Sequence, residues 1–365
     1  MELLIQPGSG SAPLLAGINS ATKSIELAIF RFDRGEIEAA LKAAVGRGVF
    51  VHALIAYTNR GGEKNLRKLE MRLLEAGITV ARTSDDLARY HDKFMIIDRQ
   101  ILYLLAFNFT YLDIDHTRSF GIVTDEVSVV QEAGRLFDAD TTRQPYTSQL
   151  ETLVVSPVNA RKQLSAFIER TQRQLWIYDP KISDKRMAAL LGERAQAGVD
   201  VRIIGRLGKS ATHLTVRQIA NMRLHTRTMI RDGEEAFIGS QSLREAELDS
   251  RRELGILIRD PKVVSSLLST FESDWKAIQA ETTRSALDEE GTLPVVKAAR
   301  KGVKAVLKDS FTLGSITREA VGKPAALDSK RIEAKVKDAV RDAIKEVVQE
   351  ATEGAQPSGI EEIER

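Results

Sequence analysis

A duplicated strand–helix–strand pattern is the feature of this chain that most constrains its fold. Residues 23–55 combine an apolar strand, a helix with apolar residues at helical spacing, a closing glycine and a Val-rich strand. Residues 173–204 repeat this order. A glycine at the helix end, followed by a β-branched run, predicts a βαβ unit. We therefore predict an α/β fold with two pseudo-equivalent halves, residues 1–145 and 146–280.

Each half also carries a histidine, a cation and an aspartate at one spacing, His-x-Lys/Arg-x4-Asp. These residues are His91, Lys93 and Asp98 in the first half and His225, Arg227 and Asp232 in the second. Alternate residues of a strand share a face, so each histidine should lie beside its cation. Two such pairs meeting across a pseudo-dyad would surround one phosphate, where one histidine attacks phosphorus and the other protonates the leaving oxygen. This chemistry requires no metal and no cofactor, and we expect neither.

Composition narrows the classes of protein to which this chain can belong. Its 53 Lys and Arg residues nearly balance 51 Asp and Glu residues, so bulk charge alone would not hold a polyanion. The absence of cysteine excludes disulfides, thiolate metal ligands and a cysteine nucleophile. No apolar run approaches the roughly 20 residues that span a bilayer, and the N-terminus is a poor signal peptide. We expect a cytoplasmic protein, and peripheral contact with a membrane is compatible with this expectation.

The doubled motif resembles that of the phospholipase D superfamily, in particular its bacterial phospholipase D-like and cardiolipin synthase-like members. The family signature is two copies of His-x-Lys-x4-Asp, each followed by Gly-Ser-x-Asn. The similarity extends over roughly residues 1–280 and includes both βαβ units. It implies two phospholipase D-like α/β/α halves that form one composite site. It also implies a phosphodiester hydrolase or phosphatidyltransferase that acts through a covalent phosphohistidine.

The Gly-Ser-x-Asn elements depart from the family signature in both halves. The first copy reads Leu105, Ala106, Phe107, Asn108 and keeps the asparagine, while the second reads Gly239, Ser240, Gln241, Ser242 and keeps the serine. The resemblance implies that the matching side chains and the two motif cations bind substrate phosphate, namely Lys93, Arg227, Asn108, Ser240 and Ser242. The departures leave open a catalytically degenerate protein that binds phosphate or acts as a scaffold.

A downstream glutamate orients the histidine in members of this family, and only one half of this chain retains it. Glu253 occupies that place in the second half, whereas the first half has Ser119. We therefore expect Glu253 to hold His225, which would make His225 the nucleophile and His91 the general acid. The two motif aspartates are expected to support the site indirectly or to serve the fold.

Residues 281–365 lie outside the duplication and are predicted to form a helical extension. Residues 294–308 place apolar and basic side chains largely on different faces, which is typical of a basic amphipathic helix. Such a helix can lie on an anionic membrane surface, bind nucleic acid or pack on the domain. Residues 329–351 predict a second helix suited to self-association. As substrate we expect a phospholipid or another phosphodiester, with nucleic acid as the alternative.

Overall fold

A computed structural model of the chain describes residues 1–57, 63–208, 214–219 and 221–290. The helices predicted at 294–308 and 329–351 lie outside the described residues. Met1–Gln279 form one compact unit. Within the described ranges, no helix combines the length and the apolar character that crossing a bilayer requires. The residue boundaries predicted for the two halves stay predictions.

The described part of the chain contains sixteen strands and nine helices. In the first half they are β1 (Glu2–Gln6), α1 (Ala12–Ser20), β2 (Ser24–Ala28), α2 (Gly35–Gly46), β3 (Phe50–Ile55), α3 (Glu63–Glu75), β4 (Thr79–Arg82), β5 (Arg89–Tyr90), β6 (Phe94–Ile97), β7 (Ile101–Leu105), α4 (Tyr111–Asp115), β8 (Thr117–Thr124) and α5 (Val127–Thr142). In the second half they are β9 (Leu153–Ser156), α6 (Ala160–Glu169), β10 (Gln174–Ile182), α7 (Lys185–Gln196), β11 (Asp200–Leu207), β12 (Thr215–Arg217), β13 (Arg223–Leu224), β14 (Arg227–Arg231), β15 (Glu235–Gly239), α8 (Glu245–Asp249), β16 (Arg251–Ile258) and α9 (Pro261–Glu290).

The strands form two mixed sheets, each built mainly from one half of the chain. The first sheet has the order β1-β8-β7-β6-β2-β3-β4, and the second has the order β12-β11-β10-β14-β15-β16, with β9 also paired to β16. Two short strands cross between the sheets. β5 of the first half pairs with β16, and β13 of the second half pairs with β8. Each sheet therefore holds one strand from the other half.

The predicted βαβ units are present in both halves. β2 pairs in parallel with β3 around α2, and β10 pairs in parallel with β11 around α7. Helix α2 buries Ile37, Leu41 and Ala44 in the core of the first half because these residues recur at helical spacing. Gly48 and Gly198 follow the two helices with φ of +85° and +91°, a conformation that other residues rarely adopt. The predicted α/β fold with two equivalent halves is confirmed.

A shared apolar core joins the two halves. It contains residues from both sheets and from helices α5 and α9. The ring of Phe120 on β8 lies 5.4 Å from that of Tyr178 on β10, which in turn lies 5.0 Å from Phe271 on α9. Asp274 of α9 accepts hydrogen bonds from both Tyr178 and Arg118 at 2.8 Å. These contacts tie the second half to strand β8, so residues of both halves can contribute to one site.

The two motif aspartates stabilise turns at the ends of the sheets through hydrogen bonds. The carboxylate of Asp98 accepts hydrogen bonds from three successive backbone amides, those of Thr22, Lys23 and Ser24, at 2.7–3.2 Å. Asp232 accepts in the same way from the amides of residues 172–174. Both aspartates have a left-handed backbone, with φ of 54° and 55°. Of the two roles expected for them, these contacts fit the one that serves the fold.

A buried ionic cluster crosses between the halves. Arg252 of β16 donates to both carboxylate oxygens of Asp140 on α5, at 2.9 and 3.0 Å. Asp92 is also buried, and desolvation raises its pKa to about 7, reinforced by Asp140 and opposed by Arg252. Burial likewise raises the pKa of Asp140 to about 6. Arg252 is therefore the cation that offsets the burial of two carboxyl groups.

We expect Arg252→Met to lower the free energy of unfolding by about 3–5 kcal/mol, because it leaves buried carboxyl groups without their cation. Urea denaturation followed by circular dichroism measures this change. The matched control is Arg173→Met, which removes an ion pair with Glu234. The side chains of Arg173 and Glu234 are 67% and 73% exposed. The control should change stability by less than about 0.5 kcal/mol. Equal effects of the two substitutions would contradict the role of the cluster.

The Asp92 carboxyl should make stability depend on pH. Its folded pKa of about 7 exceeds its usual value of 3.8, so its contribution is complete below pH 3.8 and is lost as pH rises through 7. We expect Asp92→Asn to remove this loss, so that the variant is more stable than the wild type at about pH 8 but gains nothing at about pH 4. Urea midpoints at the two pH values test this. A gain that is the same at both would show that titration of Asp92 is not its cause.

Candidate active site

The strand exchange between the halves determines where each motif histidine lies. Each motif segment leaves a short strand in the opposite sheet and then enters a longer strand of its own sheet. His91 lies between β5 and β6, and His225 lies between β13 and β14. The sequence pattern predicts the histidines within strands, whereas the structure places them where the chain crosses from one sheet to the other. Both imidazoles therefore lie at the junction of the two halves.

The pairing registers show which residue faces each histidine. β5 runs parallel to β16, and its register continues to His91 opposite Glu253. The His91 amide donates to the carbonyl of Arg252 at 2.8 Å. β13 runs parallel to β8, and its register continues to His225 opposite Ser119. Each histidine thus faces a residue from the other half of the chain.

Both histidines line one cleft of about 860 Å³. Eight cationic side chains line it as well, namely Arg31, Lys68, Arg72, Arg89, Arg223, Arg227, Arg244 and Arg251. Among the described residues, three acidic side chains line the same cleft, Asp33, Asp113 and Glu247. Although the whole chain is almost neutral, its positive charge is concentrated here. The composite site predicted from the two motifs is therefore a cationic cleft with an imidazole from each half.

Glu253 contacts His91 and not His225, so the expected pairing was wrong. Nδ1 of His91 lies 3.0 and 3.1 Å from the two carboxylate oxygens of Glu253. The cause is the strand exchange, which brings β16 beside the segment that precedes His91. An ionised carboxylate only accepts hydrogen bonds, so Nδ1 carries the proton and Nε2 keeps its lone pair. Burial, together with Lys93 and Arg89, lowers the pKa of His91 well below 6.5, which keeps the ring neutral.

The two motif cations occupy equivalent places but differ in exposure to the cleft. Lys93 is fully buried, donates to the carbonyl of His91 and lies 3.3 Å from Nδ1 of that ring. Arg227 lines the cleft, donates to the His225 carbonyl at 2.6 Å and to the Ser242 hydroxyl at 3.1 Å. Burial lowers the pKa of Lys93 to about 8, with Glu253 opposing the shift. The buried positive charge beside the His91 ring is therefore lost in mildly alkaline solution.

The three polar side chains expected from the Gly-Ser-x-Asn elements are placed differently. Asn108 lines the cleft and donates through Nδ2 to Asp113 at 2.7 Å. Ser242 is buried against Arg227, whose Nε donates to its hydroxyl. Ser240 is fully buried, and its hydroxyl bonds the backbone N–H and carbonyl of Leu254 at 3.1 and 3.3 Å. Of the five side chains expected to bind phosphate, Asn108 and Arg227 line the cleft and Lys93, Ser240 and Ser242 do not. The phosphate contacts themselves stay predictions.

Within the part of the chain that the structure describes, no glutamate contacts His225. Its Nδ1 is buried and has no hydrogen-bond partner among these residues, and the same holds for the hydroxyl of Ser119. The nearest carboxylate in contact is that of Asp113, whose Oδ2 lies 3.7 Å from Nδ1. Burial and Arg227 lower the pKa of His225 well below 6.5, while Asp113 raises it. At the resting site both histidines are therefore neutral.

Two acidic residues of the cleft were not predicted from the sequence. Asp113 and Glu247 each lie five residues after the last residue of the Gly-Ser-x-Asn element, and each accepts a hydrogen bond from the backbone amide of that residue, at 2.9 and 2.8 Å. Their equal spacing in the two halves was the signal that could have revealed them. Across the described ranges, no three His, Asp or Glu side chains cluster as metal ligands would.

The chain was compared with protein families and with known proteins. The family model described as cardiolipin synthase, PLD-like domain, matches residues 14–141 and 164–275. A polyphosphate kinase of Prosthecochloris aestuarii is 24% identical over 339 residues, which cover 83% of this chain and 46% of that protein. This chain therefore spans about half the length of that relative.

Two solved structures share the fold. The polyphosphate kinase of Porphyromonas gingivalis superposes with a TM-score of 0.63 at 21% identity, over 75% of this chain and 50% of that one. The phosphatidylserine synthase of Haemophilus influenzae gives 0.60 at 11% identity, over 76% and 86% of the two chains. At these identities the likeness establishes the fold, while the chemistry has to be argued from the site.

Sulfate binding should report the charge on Lys93. Because burial lowers the pKa of Lys93 to about 8, we expect sulfate affinity, measured by calorimetry, to fall as pH rises through that value. Lys93→Met should bind sulfate more weakly at about pH 6.5 and should lose this dependence on pH. Lys162→Met, which alters a side chain that is 77% exposed, is the control and should behave as the wild type. An unchanged pH dependence in Lys93→Met would rule out Lys93 as the titrating cation.

Proposed function

Because this chain belongs to the phospholipase D-like family, we propose that its cleft transfers a phosphate group through a covalent intermediate on His91. One observation carries the proposal: two imidazoles, one from each half, face the same cationic cleft, and one of them is held by a buried carboxylate. Such a pair supplies a nucleophile and a proton donor. The roles are the reverse of those expected from the sequence, because Glu253 holds His91.

In the first step, Nε2 of His91 attacks the phosphorus of the bound donor. A P–N bond forms, the P–O bond to the leaving group breaks, and His225 gives its proton to the departing oxygen. Glu253 accepts from Nδ1 and stabilises the positive charge that develops on the His91 ring. Arg227, in the cleft, is placed to bind the nonbridging oxygens. Because the resting His225 is neutral, it first takes up a proton from solvent at Nε2 as the donor binds, and the negative charge of the entering phosphate favours this protonation.

In the second step, the acceptor takes the phosphate group from His91. His225, now neutral, removes the proton of an acceptor hydroxyl, whose oxygen attacks phosphorus. The P–N bond breaks, Nε2 recovers its lone pair, and His225 is again protonated. The acceptor can be water, an alcohol or a second phosphate, and the reaction is then hydrolysis or transfer.

We propose that the donor carries several neighbouring phosphate groups. Eight cations against three acids is more charge than one phosphodiester needs, and the arginines suit a chain of phosphates because each can bind two oxygens at once. Two of the similar proteins are named polyphosphate kinases, and a polyphosphate belongs to this substrate class. A phospholipid is the second candidate, favoured by Leu112, an apolar residue that lines the cleft and is 50% exposed.

The covalent intermediate is directly testable. The chain, incubated with ³²P-labelled polyphosphate and quenched in alkali, should retain label that acid releases, as a phosphohistidine does. His91→Gln should abolish the label, whereas His225→Gln should slow labelling and turnover by about 10²- to 10⁴-fold. His116→Gln, which alters an exposed histidine, should label normally. Full labelling of His91→Gln would contradict the assignment, and no label with any donor would support the degenerate alternative.

A panel of donors distinguishes the substrate classes. Labelled polyphosphate, labelled phosphatidylglycerol vesicles and labelled single-stranded DNA should be compared with a small phosphodiester. We expect Arg31→Ala to raise KM for polyphosphate by about 10-fold or more, since a hydrogen bond to a charged group is worth about 1.5–3 kcal/mol. The same substitution should leave KM for the small phosphodiester nearly unchanged. Arg186→Ala, exposed and away from the cleft, is the control. Turnover of vesicles alone would favour the phospholipid.

A further inference from the structure

The two histidines are supported unequally. His91 has the buried carboxylate of Glu253 at its Nδ1, but His225 faces Ser119, where the corresponding carboxylate is missing. Nδ1 of His225 and the hydroxyl of Ser119 are both buried, and neither has a hydrogen-bond partner among the residues that the structure describes. An unsatisfied buried polar group costs about 1–3 kcal/mol, and an imidazole with no partner has no fixed tautomer. A histidine that must give and take a proton at Nε2 needs such a partner.

One carboxylate is already in place on that side. Oδ2 of Asp113 lies 3.7 Å from Nδ1 of His225. The carboxylate is held from other directions by Asn108, through its amide at 2.9 Å and its Nδ2 at 2.7 Å, and by Arg223 at 2.7 Å. Asp113 is only 3% exposed. A shift of about 0.8 Å would bring the two atoms to ordinary hydrogen-bond distance.

The equivalent residue of the second half contacts none of the histidines that the structure describes. Glu247 accepts from the Ser242 amide as Asp113 accepts from that of Asn108, but its other oxygen receives hydrogen bonds from Arg244 and Arg251 at 3.1 and 3.2 Å. His91 does not need it, because Glu253 already holds that ring. The half that lost the strand carboxylate is therefore the half whose loop carboxylate faces a histidine.

The charges around His225 point the same way. Burial lowers its pKa, and Arg227, Lys93 and Arg223 lower it further, while Asp113 raises it. Burial opposes ionisation of Asp113 itself, but His225 and the two Asn108 hydrogen bonds hold its pKa below the usual value. Asp113 is thus an ionised group able to stabilise a protonated His225.

We propose that Asp113 is the positioning residue of His225 and replaces the glutamate that is missing at position 119. It accepts a hydrogen bond from the Nδ1–H group, leaves Nε2 facing the substrate and stabilises the imidazolium formed when His225 takes a proton. The importance of this contact for turnover rests on the proposed function. The contact itself does not, because it fixes the state of His225 in the resting protein.

Nitrogen-15 NMR of labelled histidine in the full chain tests the contact without requiring turnover. The His225 signals are identified by their loss in His225→Gln. In the wild type we expect a proton on Nδ1 and a bare Nε2, and in Asp113→Asn we expect a mixture of tautomers and a lower pKa of His225. Asn keeps an oxygen for the Asn108 amide, so the loop is retained. Glu247→Gln, the matched substitution in the other half, should leave His225 unchanged.

Restoring a carboxylate separates positioning from a loop role. Adding Ser119→Glu to Asp113→Asn should return His225 to the wild-type tautomer. The single variant Asp113→Glu should also keep that tautomer. It provides the test if the longer side chain at position 119 unfolds the double variant. Where turnover is measurable, Asp113→Asn should lower kcat by about 10²- to 10⁴-fold, with recovery in the same variants. A His225 signal that does not respond to Asp113→Asn would overturn the proposal. So would a response that neither carboxylate restores.

Discussion

The exchange of two short strands between the sheets, one from each half, is the interaction on which the site depends. β5 pairs with β16 and β13 pairs with β8, so each motif segment begins in the sheet of the other half. The two histidines are thereby carried to the same junction, and each is aligned against a residue of the opposite half. The halves could not separate without dismantling both contacts. A composite site is thus a consequence of how the sheets share strands, and the shared aromatic core keeps them in register.

Because the sequences of the two halves differ around the motifs, the two histidines have different roles. Glu253 fixes the tautomer of His91, and the buried position opposite His225 holds a serine hydroxyl that cannot do so. A nucleophile must present a bare Nε2 each time the donor binds, whereas a proton donor alternates between two protonation states. The permanent carboxylate therefore belongs beside the nucleophile. On this account the loss at Ser119 tunes one histidine and does not disable the site, because Asp113 lies close to Nδ1.

Much of the fold followed from local pattern, and the errors arose where distant segments pair. The helical spacing of Ile37, Leu41 and Ala44 and the glycine after the helix were enough for the βαβ unit, since both signals are local. The partner of Glu253 was assigned wrongly because sequence order places Glu253 in the half of His225, while strand exchange joins it to His91. Ser240 was expected to bind phosphate, but its hydroxyl bonds the neighbouring strand. Pairing of this kind depends on long-range register, which spacing within one half does not determine.

The central claim is that His91, held by Glu253, forms the bond to phosphorus while His225 faces the leaving oxygen. Vanadate adopts the five-coordinate geometry of a phosphate under attack, so a crystal structure of the full chain with vanadate tests this arrangement directly. The account predicts vanadium bonded to Nε2 of His91, with the opposite apical oxygen within hydrogen-bond distance of His225 and Arg227 on an equatorial oxygen. Vanadium bonded to His225, or seated in the cleft away from both rings, would contradict it.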